Sequence, residues 1–540
     1  METPLPCSVF RLTRILVMSK YLIKRLIRGL ISVVIVVAIV MILVYTLINK
    51  DDIFKGDYMI TKKQSNEKII YKYEKWEEYG YLDYFRYTDY IDILIKDGEL
   101  DPADRASVAK IGQTPDKDSS AVKACVAKFQ AYCDKNGYTV VRLNADTKKL
   151  KNGGQQVLFA YKNIPTLTRL WKFFTSILDV DSIHYVENDE DLVGERGLTF
   201  TFFDPVYGGK KFSPAIIGNG TKHKYLLYFD NQFPFIHQNI VKIHLGQSFS
   251  VSKGIDVFDS MTQRQGSIVK SETIYPTGYV EESANNLHEA VFSATADLSK
   301  PFTAARFTDK YVDTPSVLAS ASRMSLSFII GILASILAYL IGVPVGIAMA
   351  RNKGKWFDKI ATAYIVFIIA VPSLVYIFIF RTVGMAAKLP GKFDIDSSNP
   401  LQYVLPIVSG ALPGIAGLMQ WLRRYMIDQM NSDYVKFARS GGMSERGIFS
   451  KHILKNAAIP LIHGIPGTII GAVVGGIITE TVYSVPGTGR MLTEAITLKD
   501  NSVIVGLTAF FTLLSIISLI LGDILMAIID PRISFTDKAR

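Results

Sequence analysis

The chain has 540 residues, of which 49% are hydrophobic, and its 60 Lys and Arg residues outnumber 49 Asp and Glu residues to give a net charge of +11. Its mean hydropathy is +0.23, and its apolar residues are gathered into long blocks, whereas a soluble domain disperses them. Much of the basic excess lies beside these blocks, where Lys and Arg set topology and contact anionic lipid, and no nucleic-acid-binding motif accompanies it. Composition therefore argues against nucleic acid as a partner and indicates a membrane protein.

Six segments are long enough to cross a hydrocarbon core, which needs about 20 apolar residues per helix. Prolines within the middle four predict kinks, which membrane helices tolerate when neighbouring groups satisfy the freed carbonyls. The predicted fold class is thus mainly α, a polytopic membrane protein with six transmembrane helices. The segments are Leu30–Ile48, Val317–Ala350, Ile360–Met385, Leu401–Leu422, Ala457–Tyr483 and Ser502–Ile529.

The distribution of Lys and Arg predicts the orientation of these segments. Basic residues concentrate in residues 1–29, between the second and third segments, and in the loop 423–456. If six spans alternate, all three regions lie on one side, so both termini and that loop are predicted to be cytoplasmic. The first span, 30–48, lacks a following small-residue cleavage site and is interpreted as an anchor. The sequence leaves open whether translation begins at Met1 or at Met18.

Residues 49–316 form a long polar region that the topology places outside the membrane. Frequent aromatic residues need packing partners, so we expect a folded α+β domain with its own core. We predict helices over Ala121–Asn136 and Leu167–Leu178 and strands over Leu198–Phe203 and Thr273–Val280.

Cys125 and Cys133 lie in the first of those predicted helices. Eight residues of helix separate them by about 12 Å at 1.5 Å per residue, which is beyond the reach of a disulfide. Two buried free thiols are expected, and a bridge remains open only if the chain turns back between them.

The loop DYVKFARSGGMSERGIFSKHILKNAAIP, residues 433–460, carries charge and adjacent glycines between two apolar spans. Gly441 and Gly442 allow a left-handed turn that joins two short helices at an angle. We expect apolar contacts to a soluble partner from Phe437, Met443, Ile448 and Phe449, and ion pairs to its rim from Arg439, Glu445 and Arg446. The alternative is a solvated loop that only fixes topology.

Five stretches in the second half resemble the membrane subunits of bacterial oligopeptide ABC importers, the Opp/Dpp permease family. Their order and spacing together carry the resemblance, and the long insertion containing GTKHKYLLYFDNQFPFIHQN is similar to the AmiC/OppB-type subunit. The stretches are LGQSFSVSKGIDVFDSM, IGVPVGIAMARNKGKWFD, the loop at 433–460, ITETVYSVPGTGRMLTEAI and LGDILMAIIDPRI.

The resemblance implies the ABC type I importer permease fold over 317–540, with the α+β region inserted between the first and second helices, in a bacterial plasma membrane. It implies four kinds of partner: a second homologous permease, two ATP-binding subunits, an extracellular lipoprotein that binds peptides, and membrane lipid. The loop departs from the family pattern of Glu-Ala-Ala, three residues and Gly, because only Ala438 and Gly442 match it. The implied ATPase-coupling residues are Ala438, Arg439, Gly441, Gly442, Met443, Ser444 and Glu445.

Glycines recur at three- or four-residue intervals along the fifth span. Such a face lets helices approach closely, or it gives a smooth wall to a translocation path at a subunit interface. Arg381, His463, Glu480 and Asp523 are ionisable residues inside the spans, where such residues are often functional. For Arg381, His463 and Asp523, which lie near helix ends, a snorkelling or capping role is the alternative. Glu480 is interpreted either as facing an external gate or as making a structural hydrogen bond. The candidate translocation-path or helix-packing residues are Gly464, Gly467, Gly471, Gly475 and Glu480.

No phosphate-binding loop, HExxH, CxxC pair or G-x-S-x-G motif occurs in the sequence, so no ATPase, metal or hydrolase site is expected in this chain. We expect no cofactor here and ATP bound by the partner subunits. The predicted function is that of a permease subunit of an ATP-driven oligopeptide importer. The alternatives are an ion-coupled secondary transporter and a membrane sensor with an external ligand-binding domain.

Overall fold

The computed structural model describes residues 7–529 apart from 56, 64, 114–118, 144–156, 230–234, 269–270, 284–285 and 315–317, and of residues 7–19 it describes the backbone alone. Several residues used in the predictions lie outside the described residues. They are Met1, Val317 at the start of the second predicted span, residues 230–234 of the stretch GTKHKYLLYFDNQFPFIHQN, and the last four residues of LGDILMAIIDPRI.

The first helix, α1 (Cys7–Leu47), contains most of the first predicted span but begins long before Leu30. Lys20, Lys24, Arg25 and Arg28 therefore lie on the helix itself. Lys and Arg are good helix formers whose long side chains reach past apolar surface to water, so they do not end the helix.

A three-stranded antiparallel sheet in the order β1-β3-β2, with helices around it, forms the first part of the region between α1 and the next long helix. Ser119 caps α6 by accepting from Val122 N, and Gly137 ends it at φ +73°, which confirms the helix predicted over Ala121–Asn136. The elements are α2 (Tyr58–Lys62), α3 (Ser65–Glu78), β1 (Leu82–Arg86), α4 (Tyr87–Lys96), α5 (Arg105–Ala109), α6 (Ser120–Asn136), β2 (Thr139–Arg142) and β3 (Leu158–Asn163).

Cys125 and Cys133 are both free, as predicted, but only Cys133 is buried, whereas Cys125 is half-buried. Burial raises the pKa of the Cys133 thiol to about 11, which keeps it protonated and unreactive at neutral pH.

The second part of this region contains a four-stranded antiparallel sheet, β5-β6-β7-β8, and four two-stranded pairs, β4-β9, β10-β15, β11-β12 and β13-β14. The predicted helix at Leu167–Leu178 and the strand at Leu198–Phe203 are confirmed within a residue or two. Its elements are α7 (Thr166–Ser176), β4 (Leu178–Val180), β5 (Gly197–Thr201), β6 (Ala215–Asn219), β7 (Tyr225–Phe229), β8 (Ile236–Gln238), β9 (Val241–Ile243), α8 (Val257–Thr262), β10 (Gln265–Ile268), β11 (Ser271–Ile274), β12 (Val280–Ser283), β13 (Asn286–Phe292), α9 (Pro301–Arg306), β14 (Tyr311–Thr314) and β15 (Leu318–Ser320).

The single strand predicted over Thr273–Val280 is wrong. The chain turns back between β11 and β12, where Tyr275 N donates to Tyr279 O at 2.8 Å. Gly278 adopts a φ of +83° in this turn, a conformation that glycine takes without steric cost.

The remaining chain is helical. The second span begins at Arg323, capped by Ser322, because the preceding residues 318–320 form β15 and not helix. The helices are α10 (Arg323–Arg351), α11 (Trp356–Ala370), α12 (Ser373–Ala386), α13 (Val404–Met430), α14 (Asp433–Ser440), α15 (Glu445–Ile448), α16 (Lys455–Val474), α17 (Ile477–Tyr483), α18 (Thr488–Leu498) and α19 (Asn501–Ile529), with a π-helical turn at Phe449–Leu454.

Five stretches of helix in the described residues are long and apolar enough to cross a membrane, and the number becomes six if α11 and α12 are taken as one bent span. The third span predicted over Ile360–Met385, which was expected to be kinked, is instead broken into two helices, because α11 and α12 are bent by 110° relative to each other. Pro372 has no N–H to continue the helix and holds the preceding Val371 in extended conformation, at φ −87° and ψ 129°.

The helical core lies where α10 crosses α13. Gly342 of α10 faces α13 so closely that a Cβ there would lie 3.1 Å from the Ile415 carbonyl oxygen. Small residues at such a crossing bring the backbones together and maximise packing in a membrane helix pair. At one end of this crossing Arg423 Nε pairs with the buried carboxylate of Asp358, on α11, at 2.6 Å. These contacts fix α10, α11 and α13 as one block, from which the charged loop projects.

Candidate functional site

The charged loop between α13 and α16 is two short helices joined by a glycine turn, which we call the elbow (residues 433–448). Met443 N donates to Ala438 O at 3.2 Å and Gly442 N donates to Arg439 O at 3.1 Å. With Gly442 at a φ of +77°, this is the Schellman arrangement that ends a helix sharply. Ser444 then caps α15 by accepting from Gly447 N. The glycine pair therefore makes the predicted left-handed bend.

Arg439 and Glu445 pair with each other across this bend. Arg439 Nε lies 2.6 Å from Glu445 Oε1, and its Nη2 lies 3.2 Å from Oε2. Both side chains are more than half exposed, so the pair adds little stability on its own. The pair connects α14 and α15 across the bend, and the same charges lie open to a partner.

The apolar residues of the elbow divide into an inner and an outer set. Val435 and Ile448 are fully buried and pack with Leu422 and Met426 of α13. Phe437 is 79% exposed. The expectation that Ile448 contacts a partner is therefore wrong, because its side chain points into the chain's own core.

Phe449 is also drawn inward. It is partly buried against the same core, and the Arg351 guanidinium lies 4.1 Å from its ring centroid. Met443 is 37% exposed, so Phe437 and Met443 are the two predicted contact residues that remain on the outside.

The elbow is mechanically continuous with the fifth span. α15, the π-helical turn at 449–454 and α16 follow one another without a break, so the chain is helical from Glu445 to Val474. A π-helical turn adds one residue to a turn of a helix without ending the helix. A force on α14 and α15 therefore acts directly on α16.

The glycines of α16 do not all pack against this chain. A Cβ built at Gly464 or Gly471 would meet nothing within 4 Å, whereas one at Gly467 would lie 3.2 Å from Ser518 Oγ of α19. Of the 18 most apolar consecutive residues between Glu445 and Tyr483, only 6% are buried within the described chain, against 39% for the span Pro400–Met430, which contains α13. The glycine face around Gly464 and Gly471 is thus open.

Gly475 and Glu480 lie in a closed junction at the other end of α16. The helix ends at Gly475, at φ +81°, and Glu480 is 1% exposed. Ser327 Oγ of α10 donates to one carboxylate oxygen at 2.7 Å, and Arg490 N of α18 donates to the other at 2.9 Å. The structure places Glu480 inside a hydrogen-bonded joint of α10, α17 and α18, not on an open gate.

The other ionisable residues singled out in the spans also find partners. Asp523 of α19 accepts from Tyr21 Oη at 2.9 Å, forms an ion pair with Arg25, and lies 3.4 Å from His463 Nε2. Arg381 Nε donates to Gly391 O at 2.7 Å. Asp523 thus ties α1, α16 and α19 together, which gives it a structural role.

Asp500 is an important residue that the sequence reasoning missed. It is fully buried just before α19, and one of its oxygens accepts from Ser248 Oγ and from the backbone N–H groups of Phe249, Ser250 and Val251 at 2.8 to 3.2 Å. This carboxylate fastens the segment 245–261 to the start of the last span. An Asp directly before a long apolar run is a helix-capping signal, and it was the only signal available.

Comparisons with known proteins agree with this architecture. A family model described as the binding-protein-dependent transport system inner membrane component matches residues 342–535. The chain is 35% identical over 526 residues to the oligopeptide transport system permease protein AmiC of Streptococcus pneumoniae, covering 96% of this chain and 99% of that protein. It is 31% identical over 225 residues to the dipeptide transport system permease protein DppB of Lactococcus lactis, covering 41% of this chain and 73% of that protein.

Proposed function

Because the chain belongs to the family of permease subunits of ABC peptide importers, with AmiC as a full-length relative, we propose that it forms one half of the membrane path through which oligopeptides enter the cell. A second, homologous permease supplies the other half, and two ATP-binding subunits attach from the cytoplasm. The observation that carries the proposal is the 35% identity over nearly the whole of both chains, since it includes the inserted region as well as the permease helices.

In this proposal the chain crosses the membrane six times, with the bent pair α11 and α12 as the third crossing. Both termini and the elbow are cytoplasmic, and residues 49–316 lie outside. The basic residues around the elbow and before the first span support this orientation.

The ATP-binding subunits bind the elbow. Phe437 is the exposed apolar contact, at 79% exposure, and Arg439 and Glu445 beside it offer charges to the rim of the partner surface. ATP binding draws the two ATP-binding subunits together, and the continuous stretch from α15 to α16 carries that movement into the membrane. The path then opens alternately to the two faces.

The open glycine face of α16 borders the second permease and the peptide path. Helices without side chains at the contact approach closely, and a Cβ at Gly464 or Gly471 would meet nothing within 4 Å among the described residues outside its own helix backbone. A wall of backbone and hydrogen atoms accepts varied peptide side chains, which suits a transporter whose selectivity resides in an external lipoprotein.

A cofactor has no part in this chain's own role, since ATP binds to the partner subunits. The external lipoprotein delivers peptides to the outer face, where the inserted region is fastened to α19 through Asp500. Movement of α19 is therefore transmitted to the region that meets the lipoprotein.

The first test replaces the exposed contact of the elbow. We expect Phe437→Asp to abolish co-purification of the ATP-binding subunits and uptake of a labelled peptide in intact cells, with unchanged membrane insertion. Phe302→Asp is the matched control, because Phe302 is 60% exposed on α9, far along the chain from the elbow. Normal co-purification and uptake by Phe437→Asp would remove the elbow from the coupling mechanism.

A second test alters the bend itself. Gly442 has a φ of +77°, which proline cannot adopt, so Gly442→Pro should abolish peptide uptake while insertion is retained. The sidedness of the elbow is checked separately with a cysteine at Ser440, which should react with an impermeant maleimide only after the cells are opened. Labelling of that cysteine in intact cells would contradict the orientation.

A further inference from the structure

Helix α7 is amphipathic and lies outside the proposed spans. At 3.6 residues per turn its apolar residues fall on an arc of roughly 160°, and Thr168, Lys172, Thr175 and Ser176 occupy the opposite side. The apolar residues are Leu167, Leu170, Trp171, Phe173 and Phe174.

One part of the apolar arc of α7 packs against the ends of two spans. Leu170, Phe173 and Phe174 contact a cluster that includes Met41 of α1 and Val505 of α19. Met41 lies about 9 Å from the end of α1 at Leu47, and Val505 about 6 Å from the start of α19, at 1.5 Å per residue. α7 is therefore fixed near the level at which the membrane-spanning helices end.

That level corresponds to the boundary between lipid tails and headgroups. The apolar stretch Lys20–Leu47 has 28 residues, about 42 Å of helix, which equals the thickness of a bilayer with its headgroup layers. The two headgroup layers take up about 12 Å of that length, about 6 Å on each side. The last turn of α1 therefore lies in the interfacial layer, Met41 lies just inside the hydrocarbon, and α7 lies beside both.

Contacts on the other flank set the rotation of α7. Arg169 Nη2 donates to the carbonyl oxygen of Tyr81 at 2.6 Å, and its guanidinium lies 4.7 Å from the ring centroid of Tyr45 at the end of α1. Tyr81 in turn is hydrogen-bonded to Asn501 at the start of α19. With Arg169 held on this side, the helix cannot roll to bury the rest of its apolar arc.

The rest of that arc is uncovered by any described residue. Leu167 is 76% exposed and Trp171 is 72% exposed. Ile39, Ile42 and Leu43 on the same end of α1 are each about half exposed, at 52%, 47% and 49%, and lipid covers such residues in a membrane helix. The exposed face of α7 lies at the level of these lipid-facing residues, and Trp is a side chain typical of the membrane interface.

We propose that α7 is an interfacial helix that inserts Leu167 and Trp171 into the lipid leaflet at the C-terminal end of the first span. Lys172 and Thr168 then face the headgroups and water, as in other helices that lie in the membrane surface. The helix anchors the inserted region at a fixed height above the membrane. The inference depends on the chain being a multi-pass membrane protein and not on its transport partners.

The test measures the depth of single positions in the full-length chain, reconstituted alone in phosphatidylcholine nanodiscs. Cys7, Cys125 and Cys133 are replaced by Ala, and a nitrobenzoxadiazole label is attached to a cysteine at position 167 or 171. Adjacent positions 168 and 172, on the polar side, provide the matched controls. Quenching by lipid spin-labelled near the headgroup is compared with quenching by aqueous iodide.

We expect the spin-labelled lipid to quench labels at 167 and 171 several-fold more than labels at 168 and 172, and iodide to show the reverse order. Iodide quenching at 167 equal to that at 168 would mean that this face is in water and would overturn the proposal. Protection of 167 and 171 from both quenchers would mean that a second copy of the chain covers the face, which would also overturn it.

A second measurement uses the protein with its native cysteines and no label, so that damage by the cysteine replacements cannot affect the result. Replacement Trp171→Phe should remove a component of the tryptophan fluorescence that spin-labelled lipid quenches. Trp76→Phe, at a position only 6% exposed within the inserted region, should leave that component in place. Equal lipid quenching in wild type and Trp171→Phe would contradict insertion of Trp171.

Discussion

Replacement Asp500→Ala should loosen the segment 248–251 from the last span. It leaves the buried N–H group of Phe249 and the partly buried N–H groups of Ser250 and Val251 without their acceptor. Each N–H group left without an acceptor costs about 1–3 kcal/mol of stability. Part of this loss is offset, because the variant no longer has to desolvate a buried carboxylate. A net loss of about 3 kcal/mol of local stability follows.

Hydrogen exchange followed by mass spectrometry reports this loss at the affected amides. Since about 1.4 kcal/mol corresponds to a factor of ten, the peptide containing residues 249–251 should exchange about 100-fold faster in Asp500→Ala than in wild type. Unchanged exchange of these amides would refute the reasoning, because it would show that Asp500 is not their essential acceptor.

Asp396→Ala is the matched control for this experiment. Asp396 also accepts from one backbone N–H and one hydroxyl, both of Ser267, at 2.9 and 3.1 Å. It is exposed, so water replaces the lost carboxylate and exchange near Ser267 should change little. A large effect in this control would mean that burial is not what makes Asp500 important.

Three further outcomes follow from single residues. Gly442→Ala should lower the free energy of unfolding of the purified protein by about 1–2 kcal/mol, because alanine is strained in the left-handed backbone conformation of this residue. Gly441→Ala, at φ −75°, should not lower it. Equal effects of the two variants in thermal melting would contradict the bend. Burial lowers the pKa of His223 to about 4, so as the pH falls the unfolded chain takes up this proton before the folded chain does. Acidification from pH 6.5 to 4 should therefore lower the free energy of unfolding by up to about 3 kcal/mol. This loss should be smaller in His223→Leu, and identical pH profiles of the two proteins would contradict the reasoning. Arg423→Ala should destabilise the protein more than Asp358→Ala. It leaves a carboxylate that is 4% exposed without its cationic partner, whereas the Arg423 side chain is 30% exposed. Thermal melting of both variants decides, and the reverse order would be evidence against the pairing.

Local chemistry explains what the sequence predicted well. The helix α6 has a serine at its start and a glycine at its end, and the bend at Gly442 follows from the adjacent glycines, so each could be predicted from a few neighbouring residues. Most span positions followed in the same way from long apolar runs.

The errors occur where tertiary contacts decide. Pro372 was expected to kink the third span, but nothing in the sequence distinguishes a kink from the 110° bend between α11 and α12. Ile448 looks like a surface contact in the sequence, and only the position of α13 shows that it points inward. Asp500 is 249 to 252 residues away from the groups it binds, and no periodicity or spacing rule connects positions that far apart.

The contact between segment 245–261 and the last two helices has a consequence for protein engineering. Leu245, Val257 and Met261 are in one buried cluster with Met491, Val503 and Leu507, so no boundary separates an outer module from the membrane helices. A fragment cut at residues 49 and 316 would expose half of that cluster to solvent. A variant that shortens this region, or that exchanges it for the region of a relative, therefore needs junctions that leave residues 245–261 attached to the helices.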